Sequence, residues 1–321
     1  MNSLAEEPLI RIGSFLRRDF CPVCQSGKHR TIFECSFSAE PVRSYLQSWY
    51  SGQGHVRMDL VDKDDYILDE CAGCKLIYQR LVPAGDLMSV IYDEFIRPDA
   101  ELRFLRERWS VQRCQRYLQQ IVDLISMVDR RAQDVRVLDF GMGFGEWAKV
   151  ALALGCDVYG TEISPAKLAF AQSRGIKTLP EDKLVPQSFD IINAEQVLEH
   201  IADPAECMSR LAQALKPGGV IKIGVPVKIG LRHAISQLRV GVASWNERRL
   251  NPVAPLEHLN AFGAESMREL GRRNSLTIAK AAPTTCQIPL NLRSLGESMK
   301  TMIAPFYRMF SLSGNTIYQR L

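Results

Sequence analysis

The sequence lacks the features that mark a membrane or secreted protein. None of its apolar runs reaches the roughly 18 to 20 residues that a spanning helix needs. Residues 1–8 include Glu6 and Glu7 and no cationic segment followed by an apolar one, so a secretory signal is not predicted. We therefore expect a cytoplasmic protein whose cysteines stay reduced.

An excess of one charge is also missing. The 321 residues include 40 Lys and Arg against 36 Asp and Glu, a formal net charge of +4, and the two signs are mixed along the chain. Charge alone therefore does not favour a nucleic-acid partner. With 46% hydrophobic and 24% charged residues, the chain can form one large core and a smaller unit.

Cysteine is more informative, because four of the nine cysteines form two CxxC pairs, Cys21 with Cys24 and Cys71 with Cys74. Two such knuckles complete the tetrahedral sulfur shell that Zn²⁺ prefers in structural sites. Four thiolates leave no position open for water or substrate, so we expect the metal to stabilise the fold. The alternatives are reduced cysteines packed as small hydrophobes, or His29 or His55 in place of one cysteine.

A glycine-rich turn follows the short β-like run Val135–Asp139, and it opens an apparent helix with Gly141, Gly143 and Gly145. Glycine at such a turn lets the backbone approach a ligand at the carboxyl edge of a parallel sheet. The spacing is GxGxG, whereas the dinucleotide fingerprint is GxGxxG. This difference disfavours NAD as the ligand.

A second strand is predicted at Asp157–Glu162. An acidic side chain at the end of this strand can accept hydrogen bonds from the hydroxyls of a ribose. The alternative is that Glu162 is a surface carboxylate that caps the helix beginning near Ser164 and Pro165.

Five segments resemble, in order, the motifs of class I S-adenosylmethionine-dependent methyltransferases: Asp139–Gly145, Glu162–Ser164, Ser188–Asp190, Val197–Pro204 and Leu215–Gly219. Glu257–Phe262 resembles the later active-site loop of that family. Tyr66–Tyr78 and Ile91–Phe95 resemble the cysteine-bearing lead-in of methyltransferases from polysaccharide and secondary-metabolite pathways. The sequence departs from this pattern at Lys75, where the family usually has Gly, and residues 227–256 do not align.

The resemblance implies an α/β fold with a doubly wound, seven-stranded, mostly parallel Rossmann-like methyltransferase sheet and a small zinc-ribbon-like module. We expect the cysteine-rich module at residues 1–98, the methyltransferase domain at 99–290 and an amphipathic helical tail at 291–321. The last two strands are predicted near Leu276–Ala282 and Cys286–Leu290. Apolar residues recur in the tail at helical spacing, and we expect it to fold back on its own domain or to contact a membrane surface or a partner helix.

The same resemblance implies which residues surround S-adenosylmethionine. They are Asp139, Phe140, Gly141, Gly143, Gly145, Glu162, Ile163, Asp182, Asn193, Ala194, Glu195 and Gln196. Glu162 would hold the ribose and Ile163 would pack on the adenine. Asp182 would accept from the adenine amino group, with Glu181 as its competitor.

The function implied is methyl transfer to an oxygen or carbon of a small-molecule or sugar-like acceptor. An alcohol or a carbon acid must lose a proton, and histidine is the natural base at neutral pH. We favour His258 for this role, with His200 as the alternative and Glu257 or Glu199 as orienting carboxylates.

Two other functions compete with this one. An RNA methyltransferase could grip RNA with the zinc module, and a non-catalytic partner subunit could bind the cofactor without an acceptor cavity. RNA is disfavoured because the knuckles lack a Lys/Arg-rich stripe with interleaved aromatics. In addition, residues 193–196 read Asn-Ala-Glu-Gln where amino-group methylases of bases have Asn-Pro-Pro-Tyr.

Overall fold

The computed structural model describes residues 10–52, 54–97, 102–103, 109–241, 245, 247–279 and 315–320. The chain divides into two units. Residues 1–104, 199–204 and 228–266 form the first, which we call the knuckle unit, and residues 105–198, 205–227 and 267–321 form the second, the sheet unit. This division differs from the boundary predicted at residue 98, because two later segments belong with the cysteine-bearing part.

The strands are β1 (Ile10–Ile12), β2 (Phe15–Arg17), β3 (His29–Ser36), β4 (Asp65–Cys71), β5 (Ile77–Gln79), β6 (Leu81–Pro83), β7 (Arg136–Asp139), β8 (Asp157–Gly160), β9 (Lys177–Thr178), β10 (Phe189–Glu195), β11 (Leu215–Gly224), β12 (Asn260–Ala261), β13 (Leu276–Ile278) and β14 (Asn315–Arg320). The helices are α1 (Val42–Ser51), α2 (Gly85–Val90), α3 (Val111–Val128), α4 (Glu146–Ala153), α5 (Pro165–Gln172), α6 (Pro204–Ala214), α7 (Leu231–Arg239), α8 (Glu247–Leu250) and α9 (Ala264–Arg273). Among them, none is long and apolar enough to cross a lipid bilayer.

The sheet unit contains a seven-stranded sheet in the order β13-β14-β11-β10-β7-β8-β9. The five strands from β11 to β9 pair in parallel, and β14 runs antiparallel to both of its neighbours. Val137, Ile191 and Ile221 in the central strands are fully buried, as expected for parallel strands that are covered on both faces. The prediction of a seven-stranded, mostly parallel α/β sheet is confirmed.

The end of the chain differs from the prediction. The strand predicted near Leu276–Ala282 is present as β13, but Cys286–Leu290 and most of the predicted helical tail lie outside the described residues. The last described residues form β14, so the predicted tail is not helical to its end. The burial of Tyr318 gives the physical reason, because its ring is fully buried and its hydroxyl donates to the carbonyl of Met267.

The knuckle unit contains two antiparallel sheets, one of β1, β2 and β6 and the other in the order β12-β5-β4-β3. Helix α7 packs against β3. Leu231 and Ile235 of this helix share a hydrophobic core with Phe33, Tyr66 and other buried residues of the unit. The segment that could not be aligned therefore completes the knuckle unit.

Candidate functional site

The turn between β7 and α4 depends on its three glycines. Gly141, Gly143 and Gly145 have φ values of 64°, 55° and 74°, which non-glycine residues rarely adopt. A Cβ on Gly145 would lie 2.4 Å from the side chain of Ile176. Around Gly143, by contrast, no heavy atom of the described residues lies within 4 Å of an added Cβ. The backbone at Gly143 is therefore open to a ligand.

Asp139, at the end of β7, stabilises this turn through hydrogen bonds of its carboxylate. It is buried, and its Oδ1 accepts a hydrogen bond from Nδ2 of Asn193 at 2.7 Å. Its Oδ2 accepts from the backbone N–H of Ala148 at 3.1 Å. That bond caps α4, whose N-cap residue Gly145 has no side chain to do so. Burial raises the pKa of Asp139 to about 7.

Alanine in place of Asp139 should therefore destabilise the protein. Two buried donors would lose their acceptor at a cost of about 1 to 3 kcal/mol each, so we expect the free energy of unfolding to fall by about 2 to 6 kcal/mol. Denaturant titration measures this change. Asp157→Ala is the matched control, because Asp157 on the next strand is paired with Lys177 at an exposed position. If both variants lost the same free energy of unfolding, the hydrogen bonds of Asp139 would contribute no more to stability than an exposed ion pair does.

Lys222 on β11 was not predicted from the sequence as a residue of this site. Its side chain is 3% exposed, and its ammonium donates to Oδ1 of Asn193 at 3.0 Å and to the carboxylate of Glu195. The signal in the sequence was a single lysine within the apolar run that follows Gly219. A continuous polar network of Asp139, Asn193, Lys222 and Glu195 thus crosses the ends of β7, β10 and β11.

Three more of the residues predicted to surround S-adenosylmethionine lie at or just after the end of β7 or β10. Phe140 and Ala194 are buried, and the N–H of Phe140 donates to the carbonyl of Asn193. Gln196 is exposed with a φ of 56°, and its N–H donates to the carbonyl of Gly224. The chain therefore leaves the sheet at Gln196, whose backbone is in the left-handed conformation.

The carboxylate of Glu162 lies beside the glycine turn. It accepts three backbone N–H bonds, each 2.9 Å long, from Gly143, Ile163 and Ser164. These bonds tie the turn to the start of α5, so the capping interpretation describes the contacts within the chain. About four lone-pair sites are available on a carboxylate, which leaves acceptor capacity for a ligand.

The two acidic candidates for the adenine differ in their surroundings. Asp182 has a side chain that is 71% exposed and lies 3.5 Å from Lys183. Burial raises the pKa of Glu181, and the negative charge of Glu162 raises it further. Glu181, the competing candidate, is therefore the one whose charge is coupled to Glu162. Ile163 is 67% exposed, an unusual position for a large apolar side chain.

The four predicted cysteine ligands meet in the knuckle unit. All of their sulfur atoms lie within 4.8 Å of one another, with 3.5 Å between Cys21 and Cys74 and 3.4 Å between Cys24 and Cys71. Zn–S bonds of about 2.3 Å in a tetrahedral site place sulfur atoms about 3.8 Å apart. The donor set and its spacing therefore fit zinc.

The two knuckles share one backbone pattern. The N–H of Cys21 donates to the carbonyl of Ser26, and the N–H of Cys71 donates to that of Leu76. The residue after each second cysteine is left-handed, with φ values of 59° at Gln25 and 58° at Lys75, a backbone conformation that favours Gly. A hydrogen bond from Cys21 and the N–H of Leu76 lower the pKa of Cys74 to about 6.

The two predicted histidines lie together in the knuckle unit. The rings of His200 and His258 are edge to face with centroids 4.7 Å apart, and Glu199 lies 3.9 Å from Nε2 of His200. Nδ1 of His258 is hydrogen-bonded to the carbonyl of Asn251, which assigns the proton to Nδ1 and leaves Nε2 basic. Burial lowers the pKa of His258, so the ring is neutral at neutral pH.

Glu257, one of the two carboxylates predicted to orient His258, has hydrogen-bond partners on α1. Oε1 of Glu257 accepts from Nε1 of Trp49 at 2.8 Å and from the hydroxyl of Tyr50 at 2.6 Å. The ring of His258 is held by the carbonyl of Asn251. Of the two alternative metal ligands, His29 lies 3.6 Å from Asp69, and neither His29 nor His55 belongs to the described cysteine cluster.

Comparison with known proteins gives a match to a family whose model is described as "Methyltransferase domain". The match covers residues 107–281, more than half of the chain. Curated relatives named ubiquinone biosynthesis O-methyltransferase include one from Saccharophagus degradans, 29% identical over 37% of this chain and 60% of its own length. Another, from Marinobacter nauticus, is 25% identical over 48% of this chain and 71% of its own length.

The chain therefore covers less than two thirds of the Saccharophagus degradans relative. Among solved structures, an S-adenosylmethionine-dependent methyltransferase from Mesorhizobium loti is 19% identical, with a TM-score of 0.41, over 60% of this chain and 93% of that one. The segment matched by the family model contains the strands from β7 to β11, and with them the glycine turn and Glu162.

Proposed function

The chain belongs to the methyltransferase-domain family, and we propose from this that it transfers the methyl group of S-adenosylmethionine to a hydroxyl of a small molecule. The observation that carries the proposal is the open backbone at Gly143 beside the carboxylate of Glu162, at the carboxyl edge of parallel strands. Nucleoside cofactors bind at this edge in doubly wound sheets.

The residues of this edge fit the parts of the cofactor. The side chain absent at Gly143 leaves space that a ligand can occupy, and Glu162 has acceptor capacity for a ribose hydroxyl. The exposed Ile163 offers an apolar surface to the adenine, and Glu181 or Asp182 can accept from its amino group. When bound, the cofactor supplies a methyl carbon that is electrophilic because it is attached to a positively charged sulfur.

The part of the site that would hold the methionine portion of the cofactor carries charges of both signs. Glu195 can pair with the ammonium group of the cofactor, while Lys222 fixes the position of that carboxylate and of Asn193. This network holds its acceptors in place before the cofactor binds, which lowers the entropic cost of binding. The names of the O-methyltransferase relatives support a hydroxyl acceptor over a carbon or nitrogen one. The proton of that hydroxyl would pass to Nε2 of His258.

We also propose that Cys21, Cys24, Cys71 and Cys74 hold one structural zinc ion. The sulfur atoms of these four cysteines are too far apart for disulfides, whose S–S length is about 2.05 Å. The backbone N–H of Leu76 stabilises the thiolate form of Cys74, the form that zinc requires of its ligands.

Glu162→Ala should weaken the binding of S-adenosylhomocysteine by about tenfold or more, because hydrogen bonds to a charged group contribute about 1.5 to 3 kcal/mol. Isothermal titration calorimetry measures the affinity. Glu269→Ala, which removes a carboxylate paired with Arg272 on α9, is the control and should bind as the native protein does.

Because Glu162 also ties the glycine turn to α5, a second ligand separates the two effects. An analogue without ribose hydroxyls should bind the native protein and Glu162→Ala with similar affinity. An equal loss for both ligands would mean that Glu162 acts through the turn alone, and an unchanged affinity for S-adenosylhomocysteine would exclude the ribose contact.

A further inference from the structure

Among the described residues of the knuckle unit, Arg18 is the most completely buried cation. It follows β2 directly and precedes Cys21, and it is 2% exposed. Burial lowers its pKa to about 10. Burying a charge without compensation is costly, so the surroundings of the guanidinium must supply acceptors.

Five hydrogen bonds satisfy this guanidinium, and each acceptor is a neutral oxygen. Nε and Nη2 donate to the carbonyl of Gln79 on β5 at 2.9 and 2.5 Å. Nη2 also donates to the carbonyl of Leu259 at 2.8 Å, and Nη1 donates to Oδ1 of Asn260 at 2.8 Å and to the carbonyl of Ala202 at 3.1 Å. Arg18 thereby joins β5 to two segments that are distant in sequence.

Those two segments carry the histidine pair. Ala202 follows His200 by two residues, and Leu259 is the neighbour of His258. The amide of Asn260 closes the arrangement, because its Nδ2 donates to the carbonyl of Ile201 at 2.7 Å. One guanidinium and one amide therefore fix the backbone on both sides of the edge-to-face rings.

Lysine could not reproduce this arrangement. The planar fork of arginine presents five N–H donors in fixed directions, and lysine presents three from a single point. The guanidinium also lies 5.2 Å from the ring centre of Tyr78, a cation–π distance. Three of the five bonds end on the histidine segments, whereas a role in local folding alone would need acceptors only near β2.

We propose that Arg18 is a positioning residue that sets the geometry of His200 and His258. The proposal rests on the proposed function in that it gives the pair a task, the removal of the acceptor proton. The proposal also links the cysteine knuckles to proton removal. Arg18 lies just before the first knuckle, and its side chain holds the two segments that carry the histidines.

Histidine NMR tests this inference without the methyl acceptor. The full-length protein, with its cysteine knuckles intact, is labelled at Cε1 of its five histidines, and His200→Gln and His258→Gln assign the two signals. In Arg18→Lys the loops should loosen and water should reach His258. Its pKa, lowered by burial in the native protein, should then rise toward the ordinary value of about 6.5.

Arg80→Lys is the matched control. Arg80 lies in the same unit and pairs with the buried Asp69 at 2.7 Å, but none of its bonds reaches the histidine segments. It should lower the melting temperature and leave the His258 titration unchanged. Calorimetry with S-adenosylhomocysteine should give the native affinity for both variants, because the cofactor residues belong to the sheet unit.

Asn260→Ala provides a second test if Arg18→Lys fails to fold, since it removes one of the five hydrogen bonds of Arg18 and leaves the other four in place. It should shift the His258 titration in the same direction by a smaller amount. A folded Arg18→Lys or Asn260→Ala with a native His258 titration would overturn the inference. Normal turnover in His258→Ala would instead reject the base and leave the positioning result standing.

Discussion

Alanine in place of His258 is expected to lower methyl transfer by about 10² to 10⁴, the usual range for loss of a general base. The affinity for S-adenosylhomocysteine should not change, because the residue is not part of the cofactor edge. The measurement is transfer of labelled methyl from S-adenosylmethionine to the hydroxylated small molecule that a substrate screen identifies.

The pH dependence of turnover gives a second observable for the same role. Because burial lowers the pKa of His258, the basic form is present at neutral pH, and turnover should fall only as the pH drops through that lowered value. His233→Ala is the control, since His233 is exposed on α7. A His258→Ala variant with nearly native turnover from pH 6 to 9 would transfer the role to His200.

Cys71→Ser is expected to release the zinc and unfold the knuckle unit. Structural zinc sites contribute about 10 to 16 kcal/mol at pH 7, comparable to the whole stability of a typical domain. Elemental analysis should find one zinc per chain in the native protein and much less in the variant, and thermal melting should show the lost stability.

Cys35→Ser is the appropriate comparison, because Cys35 is a free, partly buried cysteine of the same unit outside the cluster. It should keep its zinc and most of its stability. Native protein that is purified without chelator and contains no metal would exclude the site, as would a Cys71→Ser variant with native zinc content.

The sheet was predictable because its signals are local. The apolar run ending in Asp139, the glycine turn and the acidic end of β8 are each contained in a few residues, and parallel sheets bring such strand ends to one edge. The knuckles were predictable for the same reason, since each cysteine pair has its own local spacing.

Contacts made across long sequence separations were not predictable. Nothing near Arg18 in the sequence indicates that its guanidinium binds the carbonyl of Leu259. The charge of Lys222 likewise has partners on another strand, and β14 pairs with β11, a strand that is distant in sequence. Burial of a charge in the folded protein, which is invisible in a single sequence, is the physical property that marks these residues.

The division of the knuckle unit among three stretches of chain affects its folding during synthesis. Residues 1–104 emerge from the ribosome first, but the core of this unit also needs α7 and β12 from residues 228–266. At roughly 5 to 20 residues per second, synthesis reaches residue 266 about 8 to 32 seconds after residue 104. Until then β3 lacks the helix that packs against it, so we expect the knuckle unit to complete its fold only after residue 266 has been made.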